Sequence, residues 1–190
     1  MNRAATTFLM TSILLSAACA QDVPPPPKPA DDGPSLADTM KFIEDKLTER
    51  SRVNFITYVH DNVQGNDWTI SRTTELTNLR ATPGTCRIDF HWLLKERDKT
   101  PQDLDVWFLL KAVREIVVLP LEQRYKTVDA EQGNPGLSTR VDPPVTVVVV
   151  KRADGVSHEF DFYDETLANR VAKALVHAVE LCGGGSKDPF

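Results

Sequence analysis

Histidine and cysteine are scarce in this 190-residue chain, with four copies of one and three of the other. The combinations that would give them catalytic use are missing. There is no G-x-S-x-G, no C-x-x-C and no H-E-x-x-H in the sequence. The glycines at 183–185 follow a helical pattern instead of preceding one, so their amides cannot cradle a phosphate in the P-loop manner. Serines and threonines are plentiful, but none has a nearby histidine that marks it as a nucleophile. No catalytic set, no cofactor and no metal site is therefore expected.

Positive charge is also in short supply. Lys and Arg total 22 against 27 Asp and Glu, a formal net charge of −5. Lys95, Arg97 and Lys99 are interleaved with Glu96 and Asp98, so no basic stripe forms. An acidic chain without such a stripe is a poor partner for nucleic-acid phosphates or anionic lipid. A membrane-spanning run is missing too. The apolar stretch from Phe8 to Leu15 is about half of the ~20 residues a spanning helix needs, and no internal repeat occurs.

That stretch has another use. Arg3 is the one charge before it, and Ser16, Ala17, Ala18, Cys19 and Ala20 follow. A charged start, a short apolar middle and a small-residue end read as a bacterial-type export signal over residues 1–20. The alternative, a buried N-terminal helix, fits badly with the prolines that follow. Two processing routes are open. Ala18-Cys19-Ala20 has the A-x-A form of ordinary cleavage, and Leu15-Ser16-Ala17-Ala18-Cys19 resembles a loose lipobox. By the second route Cys19 carries lipid and anchors the protein to a membrane. By the first the protein is free, periplasmic or secreted. Removing one cation from a formal charge of −5 leaves −6.

Residues 21–34 read as a linker. Pro24 to Pro27 and Pro29 favour extended polyproline II, a semi-rigid tether or, alternatively, a Pro-rich ligand for a partner domain. The rest of the chain suits one domain with a single core, over 35–182, followed by a loose tail over 183–190. Ser35 with Asp38 gives a capping-box-like start. Leu36, Met40, Ile43 and Leu47 then recur at helical spacing, which predicts a helix over 35–50.

Strand patterns follow over 53–59, 68–76 and 86–92. In the second, Trp68, Ile70, Thr74 and Leu76 share one side. In the third, Cys86, Ile88, Phe90 and Trp92 alternate with Arg87, Asp89 and His91. Residues 105–119 fit one helix or two strands turning near Lys111-Ala112, and the two strands suit the neighbouring meander better. Residues 124–143 read as a long irregular loop, the place where a partner contact or an edge-covering insertion is expected. A hairpin over 145–150 and 158–163 is clear, and its valine run suggests a strand covered on both faces. A last helix over 165–182 carries Leu167, Val171, Ala174, Leu175, Ala178, Leu181 and Cys182 on one stripe and stops at glycine.

Cys86 and Cys182 both fall on apolar stripes that meet between helix and sheet. In an oxidising compartment they are expected to pair as a disulfide, with two buried thiols as the alternative. The loop closed is about 96 residues, so chain entropy predicts on the order of 4–5 kcal/mol. His60 beside Asp61 could bind a metal, though such a pair is far more often a solvated turn. His91 is expected on the less buried face of its strand, and His177 beside Leu181. Asp161, Asp164 and Glu165 could hold calcium, while helix capping by Asp164 and Glu165 is the simpler reading.

The predicted fold class is α+β: an antiparallel meander of about six to seven strands, an N-terminal helix, and a C-terminal amphipathic helix packed on the sheet. A meander closed by such a helix resembles the pleckstrin-homology-like superfold. The segment FDFYDETLANRVAKALVHAVELCGGG also resembles the ends of uncharacterised exported bacterial proteins. The resemblance covers about residues 53–182. It implies no shared catalytic residues and a binding role, toward lipid head groups or peptides. The basic head-group pocket is not evident here, and the N-terminal helix departs from the simplest form. The functional expectation is a non-enzymatic envelope domain that binds a protein or peptide. Alternatives are a carrier of a small apolar ligand or lipid and, behind it, a hydrolase or metal-dependent enzyme with scattered residues.

Overall fold

The computed structural model describes residues 33–133 and 136–185. The expected export signal with Cys19, most of the expected proline-rich linker and residues 186–190 lie outside the described residues. The chain runs α1 (Leu36–Glu49), β1 (Arg52–Asp61), β2 (Asp67–Thr82), β3 (Arg87–Glu96), β4 (Gln102–Leu109), β5 (Val113–Pro120), α2 (Leu121–Glu131), β6 (Leu137–Asp142), β7 (Thr146–Arg152), β8 (Ser157–Phe162) and α3 (Glu165–Leu181). All strand pairs are antiparallel. Five strands form one sheet in the order β4-β3-β2-β1-β6, and three form a second in the order β5-β7-β8.

The α+β class holds, but the described residues form eight strands in two sheets in place of a single meander of six or seven. Residues 105–119 do resolve into two strands, parted by a short 3-10 turn at Leu110–Ala112. Residues 124–143 are not a loop: most of them belong to α2 and β6. Only Leu121 of α2 is fully buried, with Tyr125 packed one turn on, and only Val141 of β6 is buried. An apolar face that thin leaves no readable period.

Strand β2 is also longer than its pattern suggested. An extra residue around Asn78, which sits at φ 52, shifts the register against β3 between Thr77 and Arg80. Such a bulge changes parity. Leu76 faces inward before it, and Leu79 and Ala81 face inward after it. Trp68 sits at the far end of β2, where 40% of it is exposed.

The core is built where the two sheets and two helices meet. Met40 and Ile43 of α1, Ile88 and Phe108 of the large sheet, Phe160 of the small sheet and Leu175 of α3 are buried in one cluster. Side chains 147–150 are buried throughout, as the valine run required. Val148 and Val150 face the main cluster, while Val147 and Val149 face a second one with Phe55 and Leu121. Full burial of each valine is worth about 1.5–3 kcal/mol.

Helix α3 begins at Asp164, whose carboxylate accepts from the amides of Thr166 at 2.8 Å and Leu167 at 3.2 Å. Its buried face is Leu167, Ala168, Val171, Ala172, Leu175, Ala178 and Val179. That face is turned slightly from the expected stripe, so Leu181 is exposed and Ala172 is inside. Helix α1 packs beside it, capped by Ser35.

Cys86 and Cys182 are joined, with S–S 2.04 Å and Cα–Cα 5.9 Å. Cys86 does not lie in the strand as expected. It caps the 3-10 turn Pro83–Thr85 with φ 52, one residue before β3. The glycines after α3 make backbone contacts. Gly183 takes φ 72, and the Gly184 amide donates to the Val179 carbonyl at 2.8 Å. A Cβ on Gly184 would lie 2.7 Å from the Leu110 carbonyl oxygen, so only glycine fits this approach.

Candidate binding cleft

A cleft runs between strands β3 and β4 of the large sheet and strand β8 of the small one. Alternation along the strands sets its walls. In the large sheet Phe90 is opposite Val106 and Trp92 opposite Leu104, all on the inward face. In β8, Ser157, His158 and Glu159 form the facing wall, with Val156 of the preceding turn at the rim. This end is apolar, open to solvent, and about 410 Å³ in volume. Leu104 is 53% exposed there and Val156 45%.

His158 closes the floor of this end. Its ring stacks on Phe108 with centroids 4.9 Å apart and meets Phe90 edge-on at 6.3 Å. Burial pushes its pKa down, and the Arg152 charge adds to that effect. Its Nε2 is buried without a hydrogen-bond partner among the described residues. Both effects favour the neutral ring, which serves as an aromatic wall.

The cleft continues past Trp92 and Glu159 into a polar end of about 270 Å³. Here the inward phase of β2 and β3 carries charge. Arg72 Nε donates to Glu96 at 2.7 Å, and Arg72 Nη1 donates to the Tyr125 hydroxyl. Burial works against the Glu96 charge, but hydrogen bonds from Lys99 and Arg72 outweigh it and hold its carboxyl below the ordinary value. Burial pushes the Tyr125 phenol up. Arg124 Nε donates to Glu159 at 2.7 Å.

Asp161 stands apart from these pairs. Its Oδ2 accepts from Thr74 Oγ1 at 2.9 Å, a link between the two sheets. It belongs to no ion pair among the described residues. Desolvation pushes its pKa up to about 6; Glu159 adds to this, while the Thr74 bond and Arg72 oppose it. Asp161 keeps measurable residue exposure at the cleft wall although its carboxyl is desolvated. The desolvated carboxyl is what governs its titration.

The residues singled out in the sequence are dispersed. His60 Nδ1 lies 2.8 Å from Asp67 Oδ1, and the Asp61 carboxylate instead accepts from the Val63 and Gln64 amides. His91 lies on the outer face, with Nε2 2.9 Å from Asp103 and Nδ1 2.9 Å from Asp105. His177 Nε2 lies 2.9 Å from the Pro34 carbonyl. Asp164 caps α3 while Asp161 points to the cleft, so the acidic trio does not converge. Among the described residues no three His, Cys, Asp or Glu side chains are placed to hold a metal ion.

Sequence reasoning missed Arg72, Glu96, Tyr125 and the role of Asp161. The available signal was a charge in the apolar phase: Arg72 falls between Ile70 and Thr74, and Glu96 falls in phase with Trp92. Comparison with protein-family models, curated proteins and solved structures yields no match for this chain.

Proposed function

We propose that this chain is an exported, non-enzymatic binding domain whose cleft between β4 and β8 docks a segment of an envelope protein or peptide. The observation that carries this reading is the open apolar end of the cleft. Leu104 and Val156 are large apolar side chains left in water on either side of an aromatic floor. Export is supported by the signal-like sequence of residues 1–20 and by the Cys86–Cys182 disulfide. No described helix is long and apolar enough to cross a membrane, and attachment through Cys19 remains part of the proposal.

The pleckstrin-homology-like resemblance belongs to the same reading. Meander β1–β4, the second sheet and the closing helix α3 support it, with α2 and β6 as an insertion between β5 and β7. The carrier alternative has less support. The layer between sheets and α3, where an apolar ligand would be held, is filled by Phe108, Phe160 and Leu175.

Photo-crosslinking tests the docking reading. A benzophenone side chain at position 104 should capture one protein of the envelope in whole cells. The same group at exposed Val176 on α3 should not, and Val156→Asp should abolish the capture. Equal capture from both positions would overturn the reading.

A further inference from the structure

Among the described residues strand β4 is an open edge, pairing with β3 alone. Sheet edges expose a row of unpaired amides and carbonyls, and proteins blunt them with bulges, Pro, charged side chains (Lys above all) or a covering element. Residues 102–109 contain no Pro and no Lys, their two charges are Asp103 and Asp105, and their register with β3 runs without a shift. The opposite edge of the same sheet is treated differently. There α2 packs against β6, and Glu122 of α2 accepts from the Val141 amide at 2.8 Å.

The side chains of β4 alternate in chemistry as well as in face. Leu104 and Val106 line the apolar end of the cleft. Asp103 and Asp105 stand on the outer face, and the Asp105 side chain is 94% exposed. His91 takes one oxygen from each carboxylate, and the other two oxygens have no partner among the described residues. A second copy of this edge would set acid against acid, which cross-strand pairing penalises. A strand with basic residues at the same spacing would be favoured.

The geometry points to an extended partner segment that adds to β4 as a sixth strand, alternating apolar side chains into the cleft with Lys or Arg toward Asp103 and Asp105. This rests on the docking reading above and supplies the occupant's chemistry. Backbone bonds to the free edge would give affinity, and the two-residue alternation would give specificity.

The probe is a fluorescein-labelled Lys-Val-Lys-Val-Lys-Val-Lys peptide, titrated by anisotropy into the full-length protein. A Glu-Val repeat and a block-shuffled peptide are the composition controls. Two further versions carry N-methyl groups on alternate peptide bonds, one in each phase. The Lys-Val peptide should bind at least tenfold tighter than the Glu-Val and shuffled peptides. The variant with Asp103→Lys and Asp105→Lys should reverse the preference for charge. One N-methyl phase should weaken binding at least tenfold and the other less than twofold, since only one set of amides faces the strand.

Equal binding of both methylated peptides, no preference among the repeats, or no binding of the Lys-Val peptide would each overturn strand addition. So would a dimer of the chain formed through β4 itself. If crosslinking at position 104 succeeds while these peptide results fail, the docking cleft stands and only strand addition falls. If crosslinking fails as well, both fall.

Discussion

Thr74 on β2 donates its hydroxyl to the desolvated carboxyl of Asp161 on β8 at 2.9 Å, tying the large sheet to the small one. The tie has a cost. A carboxyl whose pKa is pushed up to about 6 holds its proton to higher pH in the folded chain than in the unfolded one, so its charge at pH 7 is penalised.

Asp161→Asn should therefore stabilise the protein at neutral pH. The folded pKa lies above the unfolded value of 3.8, so wild-type stability falls as pH rises from about 4 to about 6. Above that window the charged carboxylate is penalised, by up to about 3 kcal/mol at ~1.4 kcal/mol per pKa unit. Asn keeps an acceptor for Thr74. Denaturant melts at pH 7 and pH 3.5 should show a gain at the first and little at the second. A loss at pH 7 would contradict the account.

His91 should titrate in the opposite sense. The Asp105 hydrogen bond raises its pKa; desolvation opposes this, and the Asp103 and Asp105 charges add to the rise. Its contribution is fully present below pH 6.5 and is lost as pH rises through the raised value. An NMR titration should place its midpoint above 6.5, and Asp105→Asn should bring it down.

Gly184 tests the packing beyond α3. Gly184→Ala should cost about 1–3 kcal/mol, because its Cβ would press on the Leu110 carbonyl and the Lys111 Cα. Gly84→Ala, where a Cβ meets nothing within 4 Å, should be close to neutral. Equal effects in chemical melts would remove the close approach as a constraint.

The disulfide should be complete in the native protein. Intact mass should show no alkylatable thiol at Cys86 or Cys182 before reduction. Replacing both with Ser should lower stability by about 2–5 kcal/mol. Two free thiols in untreated protein would contradict the pairing.

These tests fall on features of uneven visibility in the sequence. Helices α1 and α3 announced themselves because each carries a continuous apolar stripe and a capping side chain. The hairpin of β7 and β8 was as plain, and so was the convergence of Cys86 and Cys182. Helix α2 was hard to see because only Leu121 and Tyr125 of it pack into the core, with Val128 half-buried outside that cluster. The inward phase of β2 was lost at Asn78, where one extra residue reversed parity. The cleft was hidden for another reason. Its polar end draws Arg72, Glu96, Tyr125 and Asp161 from four elements far apart in the chain, and no local pattern links them. An inward-phase Arg on one strand and Glu on the next was the trace it left.

The central claim is that the cleft between β4 and β8 is where this domain meets its partner. Hydrogen exchange read by mass spectrometry tests it most directly, with the protein alone and with the partner recovered by crosslinking at position 104. New protection should appear over residues 102–109 and 156–161, with no change over 113–120. Protection confined to the outer face around Tyr58, Thr69 and Arg140, or to α3, would contradict it.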